Sequence, residues 1–202
     1  MKAQLALAAL LTVALAADAR ADDGWRPDPG FRSLFNGHDL TGWCFRAKVD
    51  GKSPKVGEVT EKFDGKAASS DGGRYSARDG ILTVNFPKGR ERLGSAMYTV
   101  EEFPGDFTLR LEFRASVNAD SGVFVRKPQL QCRDYLVAGP YKNLKNYRPQ
   151  DWNLIEVVAK NGVARCTCNG EVLEAEFKLP ETGPIGLEGD RGQMEYRYIQ
   201  IK

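Results

Sequence analysis

Leu154-Ile-Glu-Val-Val-Ala-Lys160, Asn161-Gly162, Val163-Ala-Arg-Cys-Thr-Cys168, Asn169-Gly170 and Glu171-Val-Leu-Glu174 follow one another without a break. Segments of strand-forming side chains alternate with Asn-Gly pairs. Asn-Gly accepts positive φ at both central turn positions, so each pair predicts a tight β-hairpin. Outward from this stretch the same pattern repeats. Ile81-Leu-Thr-Val-Asn-Phe86, Asp106 to Arg114, Gly122 to Arg126 and Met194 to Ile201 are β-branched and aromatic. Asp79-Gly80, Pro104-Gly105 and Pro180 to Gly183 punctuate them. No amphipathic helix is evident. Many short strands at this spacing predict an all-β antiparallel sandwich or barrel. Residues 47 to 78 are rich in Gly, Lys, Asp and Ser and read as an extended excursion, with one short strand expected near Val56 to Val59.

The first residues read as a leader. Lys2 precedes an apolar run from Leu5 to Ala17, and Ala19-Arg20-Ala21 is a small-x-small cleavage signal, so cutting is expected after Ala21. Residues 22–202 are then expected to form one exported domain, periplasmic or extracellular, with no transmembrane segment. The formal net charge of +2 is spread along the chain. That balance gives no field for gripping nucleic acid or an anionic membrane. Cys44, Cys132, Cys166 and Cys168 allow three disulfide pairings, or none if they are buried apolar residues. Cys166 and Cys168 share a strand face, which argues against a bond between them. Cys-x-Cys with one distant histidine, His38, is not zinc-ligand spacing. The carboxylates would suit Ca²⁺ or Mg²⁺ better.

Strand parity sorts the polar residues. Leu109, Leu111 and Phe113 share one face of their strand; Arg110, Glu112 and Arg114 share the other. Gln129, Gln131 and Arg133 alternate with Leu130 and Cys132, and Arg126 falls in phase with Phe124. If these strands are neighbours, one sheet face carries a dense array of Arg, Gln and Glu. Such planar donors and acceptors suit sugar hydroxyls and carbonyls. Its bland counterpart is the solvated face of any antiparallel sheet.

Three segments carry a family resemblance: Phe31-Arg-Ser-Leu-Phe-Asn-Gly-His-Asp-Leu-Thr-Gly-Trp43, Asp120-Ser-Gly-Val-Phe-Val-Arg126, and Gly183-Pro-Ile-Gly-Leu-Glu-Gly-Asp190 running into Met194 to Ile201. Together they resemble the 3-keto-disaccharide hydrolase domain family, over roughly Phe31 to Lys202. The resemblance implies a two-sheet jelly roll of the concanavalin A-like lectin and glucanase type. It also implies cleavage of the glycosidic bond of 3-keto-glycosides. A C3 ketone acidifies the C2 proton; its removal expels the aglycone from C1, and water then adds. That chemistry asks for a base near C2, an electrophile on the C3 oxygen and a proton donor for the leaving oxygen.

By this resemblance the catalytic candidates are Asp134, Arg126, Glu188 and Asp190. The saccharide-binding candidates are Asp120, Ser121, Gln129, Gln131, Arg133, Tyr141 and Lys142. Tyr141 and Tyr147 would either rim a sugar ring or pack on the sandwich edge. Trp152 and Trp43 are read as structural anchors, and His38 as surface decoration. Two departures from the family pattern bear on catalysis. Gln129 stands where relatives carry a carboxylate, and Asp190 where many carry histidine. A non-catalytic carbohydrate-binding module on the same fold is therefore the alternative. A third reading has the polar face meeting another protein.

Overall fold

A computed structural model describes residues 24–49, 56–65, 67–86, 95–134 and 139–202. The expected leader lies outside the described residues. Fourteen strands are found among them: β1 (Arg32–Ser33), β2 (Trp43–Arg46), β3 (Val59–Phe63), β4 (Tyr75–Arg78), β5 (Ile81–Val84), β6 (Ser95–Thr99) and β7 (Phe107–Ala115). Then come β8 (Asp120–Val125), β9 (Gln129–Arg133), β10 (Asn153–Lys160), β11 (Val163–Cys168), β12 (Glu171–Lys178), β13 (Ile185–Gly189) and β14 (Met194–Ile201). The short strand of the excursion is β3, a few residues later than expected. The helical content described is two short 3-10 turns, Asp71–Gly73 and Pro140–Asn143. No helix among the described residues is long and apolar enough to cross a membrane.

The strands form two antiparallel sheets. One has the order β12-β11-β10-β7-β14-β5-β4, with β1 also on β14; the other runs β3-β2-β6-β13-β8-β9. Both Asn-Gly hairpins form, with Asn161 and Asn169 at φ 51° and 48° and the following glycines also positive. Between the sheets lies the core, which includes Leu109, Leu111, Phe113, Val123, Leu130, Ile155, Leu187 and Tyr196. Each such side chain contributes roughly 1.5–3 kcal/mol by leaving water. The Phe31 to Trp43 segment near the N-terminus is structural. Asn36 Oδ1 accepts from the backbone N–H groups of His38 and Asp39, and Asp39 Oδ1 accepts from that of Thr41. These turns seat Leu40 and Trp43 in the core, where the indole N–H donates to Leu34 O at 3.1 Å. His38 is exposed.

The sheet order corrects one expectation. β7 and β9 belong to different sheets, so their polar residues lie on opposite outer faces of the sandwich. There are two polar faces rather than one. All four cysteines are buried free thiols. Burial pushes the thiols of Cys166 and Cys168 up to about 12.

Candidate functional site on the six-stranded sheet

Alternation along β13 turns Ile185 and Leu187 into the core and leaves Gly186 and Glu188 on the outer face. The neighbouring strands do the same. On β6, Met97 and Thr99 are buried while Ala96 and Tyr98 face out. On β8, Val123 and Val125 point inward and Gly122 and Phe124 outward. On β9, Gln129, Gln131 and Arg133 face out. Registry places Gly186 opposite Tyr98 on one side and Phe124 on the other, and Glu188 opposite Ala96.

Glycine at 186 has a steric reason. A Cβ there would collide with the Tyr98 ring and crowd Phe124. Without it both rings lie down over the strand, their centroids 5.6 Å apart. Gly122 has the same function for Gln129, whose side chain occupies the space a Cβ would take. Gln129 reaches across it and donates from Nε2 to Glu188 Oε2. Two glycines thus let an aromatic pair and an amide–carboxylate pair lie flat, side by side, on one platform. Burial, and then the negative charge of Glu188, pushes the Tyr98 phenol up to about 12. It stays an O–H donor at neutral pH.

The platform continues to Asp120, whose carboxylate meets Arg133 Nε at 3.1 Å and Arg191 Nη2 at 3.7 Å. A Cβ on Gly139 would press on the Arg133 guanidinium and approach the side-chain amide oxygen of Gln131. On the other flank, Arg46 donates to Glu102 Oε1 at 2.9 Å and to the carbonyls of Thr99 and Val100. Glu188, Gln129, Gln131, Arg133 and Asp120 of the expected set therefore share one face. Tyr98, Phe124 and Arg46 were not anticipated. A readable signal existed for Tyr98, since Ser95-Ala-Met-Tyr-Thr99 alternates as a strand does.

Other expected site residues are placed elsewhere. Arg126 has φ 64°, which breaks the strand alternation and turns its side chain inward. It is 2% exposed, and its guanidinium donates to Phe103 O at 2.8 Å, Pro180 O at 2.6 Å and Gly105 O. That side chain clamps Phe103, Gly105 and Pro180 to the end of its own strand and is spent on them, so it is no anchor for a substrate oxygen. Ser121 is buried on the core side, donating to Glu188 O at 2.7 Å. Asp134 is also buried; it accepts from Asn118 N, Tyr147 Oη and Gln150 Nε2. Three donors hold it as a loop fastener. Tyr141 and Tyr147 pack on Phe113 inside the sandwich, and the Tyr141 hydroxyl donates to Gln131 O at 2.6 Å. Tyr141 is thus a support beneath β9 and not a sugar rim. Lys142 is exposed on the Pro140–Asn143 turn. Asp190 follows β13 within the field of Arg74, whose guanidinium fills the Cβ space of Gly189.

Trp152 is likewise not a core residue. It is half-buried on the opposite outer face, beneath the guanidinium groups of Arg114 and Arg197 at 4.6 and 4.1 Å. There the β7 charges are paired: Arg110 with Glu156 and Asp28, Glu112 with Arg197, and Arg114 with Glu195. Among the described residues no three His, Cys, Asp or Glu side chains gather to hold a metal ion. The carboxylates expected to suit Ca²⁺ or Mg²⁺ do not form such a cluster among the described residues.

The fold resembles that of a Parabacteroides distasonis protein provisionally assigned as a glycosyl hydrolase. The TM-score is 0.58 at 17% identity, covering 86% of this chain and 93% of that one. A second P. distasonis protein with the same provisional assignment superposes at TM-score 0.49 and 20% identity, covering 63% and 89%. An alginate lyase from Corynebacterium sp. gives 0.48 at 11% identity, covering 82% and 96%. No protein of curated function matches the chain. A family model described as the 3-keto-alpha-glucoside-1,2-lyase-like domain matches residues 30–202. By that match over most of its length, the chain belongs to the 3-keto-alpha-glucoside-1,2-lyase-like domain family.

Proposed function

We propose that this carbohydrate-active protein is exported after removal of residues 1–21 and cleaves 3-keto-glycosides on the outer face of the six-stranded sheet. The observation that carries this reading is the platform where Glu188, oriented by Gln129, lies beside the protonated phenol of Tyr98. In this scheme Glu188 removes the C2 proton, and the C–H electron pair moves toward the C3 oxygen. Tyr98 donates a hydrogen bond to that oxygen as negative charge develops there. The pair then returns to form the C1–C2 double bond and breaks the bond from C1 to the aglycone. The carboxyl proton passes from Glu188 to the departing oxygen. Addition of water across the double bond completes a net hydrolysis. Phe124 supplies an apolar face for the ring, and Gln131 and Arg133 bind its hydroxyls.

The experiment is aglycone release from 3-keto-p-nitrophenyl glucoside by purified protein, beside Glu188→Gln. Turnover by the parent and its loss in the variant support the reading. Saccharide binding without turnover favours the binding-module alternative. A specific observation speaks for that alternative: the Glu188 and Asp120 carboxylates already have partners within the chain.

A further inference from the structure

β14 does not alternate regularly. Its pairing with β7 slips between Arg197 and Gln200, and Tyr198 sits at φ 55°. A left-handed conformation is uncommon for a bulky residue and costs on the order of 1–2 kcal/mol. The bulge has one visible consequence: Arg197 and Tyr198, though consecutive, both lie on the outer face of the eight-stranded sheet. Bulges that re-aim a side chain are over-represented at functional sites. Here the re-aimed phenol ring stacks on the half-buried Trp25 indole, centroids 5.0 Å apart and planes 17° from parallel.

This stacked pair divides two clefts. One, of about 310 Å³, is lined by the pair together with Asp28, Arg110, Glu112, Glu156 and Gln200. The other, of about 260 Å³, is lined by the same two rings with Arg26, Ser33, Asn36 and His38. At roughly 30 Å³ per water these volumes equal about ten and about nine waters, each on the order of one hexose ring. The larger cleft is preorganised. Arg110 holds Asp28 and Glu156, each at 2.7 Å, and Gln200 donates to Asp28 at 3.1 Å. Its three carboxylates, Asp28, Glu112 and Glu156, meet two guanidinium groups, Arg110 and the neighbouring Arg197 that pairs with Glu112, so the balance stays negative and disfavours an acidic ligand. A neutral polyol meets fixed acceptors and a ridge in which the Tyr198 ring is held between Trp25 and the Arg197 guanidinium, 4.5 Å from its centroid.

We propose that the outer face of the eight-stranded sheet is a second saccharide-binding surface, on the opposite side of the sandwich from Glu188. A neutral oligosaccharide would lie across the Trp25–Tyr198 ridge with one ring in each cleft. The site needs no catalysis and is independent of the function proposed above.

The test follows the tryptophan indole N–H signals in ¹⁵N-correlated NMR during titration with cellotriose, maltotriose and trigalacturonate. Trp43 is fully buried and serves as an internal reference. At least one neutral trisaccharide is expected to shift Trp25 saturably, leave Trp43 in place and bind at least ten-fold tighter than trigalacturonate. Trp25→Ala and Tyr198→Gly should each weaken that binding at least ten-fold. Glycine accepts the positive φ of position 198, so this variant removes the ring and the strain together and should keep the fold. Glu188→Gln should leave the Trp25 response unchanged. No Trp25 shift with either neutral sugar overturns the proposal. So does parent-like binding by a folded Tyr198→Gly variant, or equal binding of trigalacturonate.

Discussion

Replacing Arg126 by alanine should damage the fold before it touches any chemistry. The Arg126 guanidinium donates to three backbone carbonyls in two separate segments, at Phe103 and Gly105 in one and at Pro180 in the other. It also lies over the Phe107 ring at 5.1 Å. The bond to Phe103 is fully buried, so orphaning that carbonyl costs up to about 3 kcal/mol. The other two bonds are partly buried, and each loss costs nearer ~1 kcal/mol. The ring contact adds roughly 0.5–1 kcal/mol. The total is up to about 6 kcal/mol, comparable to the whole stability of a modest domain. Conformation supplies a second handle. At φ 64° alanine is strained by about 1 kcal/mol where glycine is not. The expected order of stability is therefore parent, then Arg126→Lys, which keeps one donor group, then Arg126→Gly, then Arg126→Ala. Urea unfolding at matched protein concentration measures it. An alanine variant within about 1 kcal/mol of the parent would refute the clamp, as would an alanine variant more stable than the glycine one.

Tyr98→Phe should fold normally and lower kcat on a 3-keto-glycoside by about 10²-fold with KM little changed, because the phenol is invoked only as charge develops; steady-state kinetics checks this. Gly186→Ala should lift the Tyr98 and Phe124 rings off the strand, costing about 1–3 kcal/mol in thermal or urea unfolding. The buried thiols set an alkaline limit. Their folded pKa values are raised above the unfolded value of 9.0, to about 12 for Cys166 and Cys168, so their stabilising effect is intact below pH 9. It is lost as pH rises from 9 toward 12, by on the order of 1 kcal/mol per pH unit per thiol. Urea midpoints should accordingly stay level in this respect up to about pH 9 and then fall, and replacing Cys166 by alanine should flatten the fall.

The strands legible in the sequence were those with an unbroken period of two and a turn signal at each end. β7, β10 and β11 are of this kind, and the Asn-Gly hairpins form where the local chemistry of asparagine and glycine demands. β13 was less legible as a strand because Gly186 and Gly189 interrupt its apolar run. Their function is to leave room for Tyr98 and Arg74, which lie far away in sequence. Parity sorted Arg110 from Leu111 and Gln131 from Cys132, since that depends only on backbone pleat. It could not tell which sheet each strand joins, so two polar faces were read as one. Parity also misled where the backbone leaves the β region. Arg126, placed in phase with Phe124, turns inward at its positive φ. Glu188 and Gln129 were picked out by motif, but their pairing depends on the bare strand at Gly122 between them.

The central claim is that Glu188 removes the proton at C2. Proton NMR of methyl 3-keto-glucoside with the protein in D₂O observes that step alone, whether or not the aglycone departs. The account predicts accelerated loss of the H2 signal with the parent protein and background loss with folded Glu188→Gln. Exchange undiminished in that variant, or no acceleration by the parent, would contradict it.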